Sequence, residues 1–418
     1  MSDFISYANS FQTVISLGLG RISALLEMSG NPQDRCRCIH VGGTNGKGSA
    51  CAFLEAMLMA AGLRVGRYTS PNLVKVNERI TVNGIPVSDD ELNPLLEKVG
   101  ERCNRVRELT GETPTQFEVW TAAAFEYFAQ ADCDYVLLEV GMGGEFDATN
   151  VIKTNAAAVL THIDLDHCAY LGNTVEEIAR TKCGIIKKNS ITVTVRQSPG
   201  VNRVIEAAAN EKNNRLITAE VPVSLGFEGI HEIMEYGGRR LRCGLGGPHQ
   251  LENAAISIAA AEALGVDSES ICRGVENACH PARFEPVTPG LIFDGAHNPN
   301  GVEALVAALD RYFPGEDMTV IFACMKDKDI VPSLRLLSTH ARRFIFTQVT
   351  GNPRSMAAEE LQAVAASAGI EGETAPDLTN AVRIAAAKGR PAVICGSLYL
   401  YETVAAAVNI WNAIKMGT

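Results

Sequence analysis

Residues 40–58, HVGGTNGKGSACAFLEAML, place glycines at 42, 43, 46 and 48, a cation at Lys47 and a hydroxyl at Ser49 between an apolar run and a helical pattern. A glycine-rich turn from a strand into a helix lets backbone N–H groups and the helix N-terminus converge on phosphate oxygens. Thr44, Asn45, Gly46, Lys47, Gly48 and Ser49 are therefore candidate nucleotide contacts, Lys47 adding a point charge and Ser49 a hydroxyl for Mg²⁺. The usual phosphate loop ends in Gly-Lys followed at once by Ser or Thr, whereas Gly48 separates the two here. That insertion shifts the hydroxyl by one residue and leaves it at the helix start. Glu139 closes the apolar run DYVLLEV, where a strand end can offer a metal a carboxylate opposite such a loop. Each feature also has a plain alternative: an ordinary glycine turn, and a strand-end acid that caps a neighbouring loop.

Short apolar runs alternating with helical patterns must carry these groups, the signature of a parallel sheet flanked by helices. CRCIHVGG reads as the first strand and SACAFLEAMLMAAGL as the helix after it, stopped by Gly62. RVGRYT, DYVLLEVG, AAAVLTHI and ITVTV follow as strands. After about residue 285 the pattern restarts with LIFDGAHNPNG, a helix from Gly301 to Tyr312, MTVIFACM, RRFIFTQV, AVICGS and a closing helix. HPARFEPVTPG, with three prolines, reads as a linker around 280–290 between domains spanning 1–284 and 290–418.

The chain has 418 residues, 46% hydrophobic and 20% charged, enough for two or three domains with buried cores. A net charge of −11 argues against broad contact with nucleic acid or anionic membrane. No apolar run approaches the roughly 18 residues that span a bilayer, and the N-terminus lacks a leader pattern, so a cytoplasmic protein is expected. Twelve scattered cysteines without a C-x-x-C pair read as reduced, mostly buried thiols and not as structural zinc ligands.

GGTNGKGSA, YTSPNLVKVNERI, LLEVGMGGEFDATN, DLDHCAYLG, TKCGIIK, HQLENA, PARFE, FDGAHNPNG and GSLYL occur in that order over nearly the whole chain. Together they resemble the folylpolyglutamate synthase and dihydrofolate synthase family of the Mur ligase superfamily, in which the G-T-x-G-K-G-[ST] loop is normal. The resemblance implies a phosphate-loop ATPase domain with a mostly parallel sheet and a smaller Rossmann-like C-terminal domain. It also implies an ATP-dependent amide ligase: ATP phosphorylates the γ-carboxylate of tetrahydrofolate, a folylpolyglutamate or dihydropteroate, and the amine of L-glutamate attacks the acyl phosphate. Phosphorylation supplies the leaving group that a carboxylate lacks.

The resemblance further implies roles for individual residues. Glu139, His167, Ser70 and Ser49 match Mg²⁺ ligands for two ions, with K⁺ as a further cation, and Lys47, His167 and Lys182 stand as the catalytic group. Lys182 matches a lysine that superfamily members carry carbamylated, which requires a lowered pKa; Lys187 and Lys188 read as helix-surface lysines. Asn253 matches an adenine contact, and Arg283, Asp294 and His297 match phosphate and ribose contacts, so that ATP would span both domains. Acceptor contacts fall on Ser16, Leu17 and Gly18, on Thr115, Gln116, Phe117 and Glu118, and on Phe146, Asp147 and Ala148. Bifunctional members often read DLGLER where this chain reads SLGLGR, a departure that bears on dihydropteroate more than on ATP. A monomer is expected. Two competing readings are a cell-wall UDP-muramyl peptide ligase, disfavoured because only 41 residues precede Gly42, and an ATP-binding switch that ligates nothing.

Overall fold

A computed structural model describes residues 4–11, 16 and 18–416. Its contacts fall into two compact units, one of 1–223, 235–241 and 251–278, the other of 224–234, 242–250 and 279–418. The second unit thus begins near the expected linker, and it also takes in two stretches that the sequence reading leaves in the first domain.

The first unit is built on eight strands: β1 (Cys38–Gly42), β2 (Val65–Tyr68), β3 (Ile80–Val82), β4 (Ile85–Pro86), β5 (Tyr135–Glu139), β6 (Ala157–Leu160), β7 (Ile191–Val195) and β8 (Arg215–Ala219). Their order is β4-β3-β2-β5-β1-β6-β7-β8, parallel apart from the antiparallel β2–β3 and β3–β4 pairs. All five residues of β1 and of β5 are buried, as expected of central strands covered on both faces. One buried cluster gathers Trp120, Phe125, Phe128 and Leu96, and another Ile178, Ile185, Val201 and Ile205. The β3–β4 hairpin and β8 lie outside the strands read from the sequence, and Asn83 and Gly84, both at positive φ, make the hairpin turn.

Three short strands follow: β9 (Phe227–Glu228), β10 (His231–Tyr236) and β11 (Arg239–Arg242). The six strands of the second unit are β12 (Glu285–Thr288), β13 (Leu291–Phe293), β14 (Met318–Phe322), β15 (Ala341–Phe346), β16 (Gly372–Thr374) and β17 (Ala392–Cys395). Their order is β12-β13-β17-β14-β15-β16, with β12 antiparallel and the others parallel. Part of the proline-rich linker is therefore an edge strand: Pro286 suits an edge, where a missing N–H leaves no ladder bond unmade, and Pro289 follows in the turn to β13. The helix expected from Gly301 begins at Pro299, because Asn298 caps it by accepting the Gly301 N–H at 2.8 Å. Among the described residues no helix is long and apolar enough to cross a membrane. All twelve cysteines are free thiols.

Candidate active site

The chain leaves β1 at Gly42 and enters the helix Lys47–Ala60 through a loop that only glycine permits at two points. Gly43 has φ +147°, and a Cβ there would lie 1.9 Å from Thr161 Oγ1. Gly46 has φ +87°, and its Cβ would lie 2.2 Å from Asn253 Oδ1, so Asn253 rests directly on the loop. The loop is laced to the chain that follows β6. Thr44 N–H donates to His162 O at 2.7 Å, the Thr44 hydroxyl donates to Asp164 O at 2.9 Å, and the Thr161 hydroxyl donates to Asn45 O at 2.7 Å. The first intrahelical bond is Ala50 N–H to Gly46 O, so the N–H groups of Lys47, Gly48 and Ser49 precede it and stand where a helix start offers donors to an anion. Ser49 is in this first turn, as the displaced hydroxyl requires.

Two lysines meet on one carbonyl oxygen. Lys47 Nζ donates to Gly43 O at 3.2 Å and to Thr44 O at 3.0 Å, while Lys182 Nζ donates to Gly43 O at 2.7 Å. Lys182 lies at the end of the helix Val175–Cys183 and is buried, 5% exposed. Burial, helped by the positive charge of Lys47 and opposed by Asp166 and Asp147, brings its amine down from 10.5 to about 7. The neutral amine is therefore populated near pH 7, unlike that of an exposed lysine. Lys187 corrects the sequence reading: it lies beyond that helix, half-buried, donates to Asn150 O at 3.2 Å, and is lowered to about 8 chiefly by burial.

Glu139 ends β5 buried, and its Oε2 accepts the Ser70 N–H at 3.2 Å, so these two candidate metal ligands are brought together. His167 sits at φ +51° at the start of the short helix Cys168–Leu171, its Nε2 3.9 Å from Asp166 Oδ2. No three His, Cys, Asp or Glu side chains converge as a metal cage among the described residues. One carboxylate with two serine hydroxyls nevertheless suits Mg²⁺, which keeps waters and leans on substrate phosphates instead of an all-protein cage.

The acceptor candidates divide. Leu17 lies outside the described residues, and Ser16 is exposed, its carbonyl accepting from Arg21 at 2.8 Å. Arg21 also pairs with Glu118 at 3.0 Å and Glu112 at 3.2 Å, which ties the chain at Ser16 to the start of the helix Gln116–Ala131. Thr115 and Glu118 form the capping box of that helix, Gln116 donates to Asn9 O at 3.1 Å, and the Phe117 ring packs 5.9 Å from that of Tyr68. Phe146 is exposed, whereas Asp147 and Ala148 are buried, and Asp147 accepts from Met142 N–H at 2.8 Å and Thr149 N–H at 3.0 Å. Sequence reading passes over Arg21 and Thr161, whose roles rest on partners far along the chain. The T-x-x-E pattern of 115–118 is a local signal that does announce a cap.

In the second unit Asp294, just past β13, is buried and accepts the Phe284 and Ala296 N–H groups, each at 2.8 Å. Burial raises that carboxyl above its usual range, and Arg283 offsets part of the rise. Ala282 and Phe284 flank Arg283 at φ +60° and +44°, a strained backbone for residues with a Cβ. His297 Nδ1 lies 2.8 Å from Gly295 O. His249 is half-buried, and desolvation with the charge of Arg283 holds it neutral down to about 4.

The Mur ligase middle domain matches residues 41–261, and the Mur ligase glutamate ligase domain matches 282–398. The chain is 35% identical over 404 residues to dihydrofolate synthase/folylpolyglutamate synthase of Bacillus subtilis, covering 93% of this chain and 94% of that one. It superposes on the structure of Mycobacterium tuberculosis folylpolyglutamate synthase complexed with ADP and AMPPCP with a TM-score of 0.87 at 29% identity, over 94% of this chain and 95% of that one. For the Escherichia coli protein in complex with DHPP and ADP the TM-score is 0.85 at 30% identity, over 97% of each chain. On these grounds the chain belongs to the folylpolyglutamate synthase/dihydrofolate synthase family of the Mur ligase superfamily.

Proposed function

We propose that this chain is an ATP-dependent ligase that joins L-glutamate to the γ-carboxylate of tetrahydrofolate and its polyglutamates through an acyl phosphate, with dihydropteroate as a second acceptor. The observation that carries the reading is the meeting of Lys47 and buried Lys182 on Gly43 O, beside a phosphate loop of the ligase form. A switch protein has no use for a buried lysine poised near neutrality there, and chain-long similarity to folate ligases weighs against a cell-wall peptide ligase.

The first-turn N–H groups of Lys47, Gly48 and Ser49 take the β- and γ-phosphates, and Lys47 turns from the loop carbonyls to a phosphate oxygen. Asn253, which lies against Gly46, takes the adenine, and Arg283, Asp294 and His297 take the remaining phosphate and ribose contacts. Glu139, Ser49, Ser70 and His167 would hold Mg²⁺, which when bound neutralises charge on the triphosphate; K⁺ is a further cation of the reading. Lys182, in its neutral form, adds through nitrogen to CO₂ and loses a proton, becoming a carbamate anion beside Lys47. The acceptor lies along Ser16–Gly18, Phe117 and Phe146–Ala148. The protein acts as a cytoplasmic monomer.

Purified protein given ATP, Mg²⁺, L-glutamate and tetrahydrofolate should form an elongated product by mass spectrometry, with ADP and phosphate released in step. Dihydropteroate in place of tetrahydrofolate tests the second acceptor. Absence of product with both refutes the ligase reading.

A further inference from the structure

His40 lies on β1 just before the phosphate loop and is fully buried. Its backbone is in register with Leu138 of β5 on one side and Ala158 of β6 on the other, so the strand is fixed without its side chain. The ring Nε2 lies 2.8 Å from Thr149 Oγ1, which lies 2.5 Å from Asp147 Oδ1. The two Asp147 oxygens already accept the Met142 and Thr149 N–H groups, so although burial raises this carboxyl the site is built of donors to it, and the Thr149 hydroxyl donates as well and offers a lone pair to the ring. His40 is thereby the Nε2–H tautomer, and its Nδ1 is buried with no protein partner. Burial, with the charge of Lys187, keeps the ring neutral down to about 3, and in the Nε2–H tautomer His40 donates to Thr149, and Thr149 to Asp147.

The segment that ends in Asp147 and Thr149 is held from a second side. Glu145 N–H donates to Thr181 O at 2.8 Å, and Asn150 Nδ2 donates to Gly184 O at 3.1 Å, next to Lys182. Gly144 fits close against that helix end, where a Cβ would lie 2.7 Å from Thr181 O. With these anchors in place, the side-chain tie from Asp147 to the sheet among the described residues runs through Thr149 to His40.

We infer that His40 is a positioning residue for the folate acceptor, acting through Thr149 to set Asp147 and the exposed Phe146 beside it. The inference rests on the proposal that 146–148 meets the acceptor. Four variants test it by steady-state kinetics: Thr149→Val, His40→Leu, His40→Gln and Phe146→Ala, each with KM measured for tetrahydrofolate and for ATP. Thr149→Val and His40→Leu should each raise the tetrahydrofolate KM about 5-fold, the effect of one buried hydrogen bond of about 1 kcal/mol, with the ATP KM unchanged. His40→Gln, whose amide N–H reaches the same hydroxyl, should restore most of the loss. His40→Leu combined with Thr149→Val should be no worse than Thr149→Val alone, because both cut one chain. A lowered melting temperature with both KM values unchanged, or additive effects in the double variant, overturns the inference; Thr149→Val, nearly isosteric, carries the test if His40→Leu does not fold. If Phe146→Ala leaves the tetrahydrofolate KM unchanged, the acceptor placement on 146–148 has failed instead.

Discussion

Lys182→Met should make the protein more stable while it removes activity. Folding carries the amine from water, where it titrates near 10.5, to a site where it titrates near 7. Between those values the unfolded chain holds one proton more than the folded chain, so stability rises with pH across the window. Below about 7 both states are protonated, and the full cost of burying the charge is felt. At pH 7 the cost is roughly 4 kcal/mol, from a shift of more than three units at about 1.4 kcal/mol each. Methionine keeps the length of the side chain without the charge, and it forfeits the bond to Gly43 O, worth about 1 kcal/mol. The net gain of roughly 3 kcal/mol corresponds to a melting temperature higher by roughly 6 to 12 °C for a unit of this size. The assay is thermal unfolding of both proteins from pH 6 to 10 in CO₂-free buffer, where the advantage of the variant should shrink as pH rises past 7. Added bicarbonate should then stabilise the parent protein and not the variant, since only the parent can carry the carbamate. A variant no more stable at pH 7, or an advantage that ignores pH between 7 and 10, refutes the reasoning.

Gly46→Ala forces a Cβ at φ +87° to within 2.2 Å of Asn253 Oδ1, and a displaced phosphate loop should cost about 100-fold in kcat/KM for ATP. Glu139→Gln keeps the shape at the end of β5 and removes the charge; kcat should fall by about 100-fold or more, measured across a Mg²⁺ series, with melting temperature nearly unchanged. Arg311→Ala deprives the buried Glu232 carboxylate of its ion pair at 3.0 Å while Tyr312 still donates at 2.8 Å, and the unfolding free energy in urea should drop by about 2 to 3 kcal/mol. Hydrogen bonds from Arg311, Ser224 and Tyr312 hold that carboxyl below its usual 4.5, so the stability it contributes is present above 4.5 and is lost as pH falls further. The parent should therefore lose its advantage over Arg311→Ala in acid.

The β1–loop–helix unit is legible because local rules agree there: an unbroken apolar run, glycines at the turn, then a helical pattern. β12 is not, since prolines at 286 and 289 read as a linker until pairing with β13 makes 285–288 an edge strand. Asn83–Gly84 does carry the hairpin signal, but strands as short as β3 and β4 have no alternation to read. The glycine loop and the end of β5 announce chemistry by residue type and spacing. Lys182 does not, because what distinguishes it from Lys188 is burial and the nearness of Lys47, both products of folding. His40 is likewise silent: an apolar strand with one histidine gives no hint of Thr149, which lies 109 positions along.

Glu232 and Ile230 belong to the second unit although they are synthesised well before its main body begins at Cys279. Ile230 packs in the same cluster as Phe284, Leu305 and Phe322, and Glu232 is the counter-charge of Arg311. On the ribosome these residues emerge early and must wait, solvent-exposed, for partners that are still to be translated. A gene fragment cut at the boundary near 279 would encode a sheet short of one core residue and one buried acid. The two units are therefore not interchangeable cassettes, and a chimera that swaps the second for a relative's must carry 224–234 and 242–250 along with it.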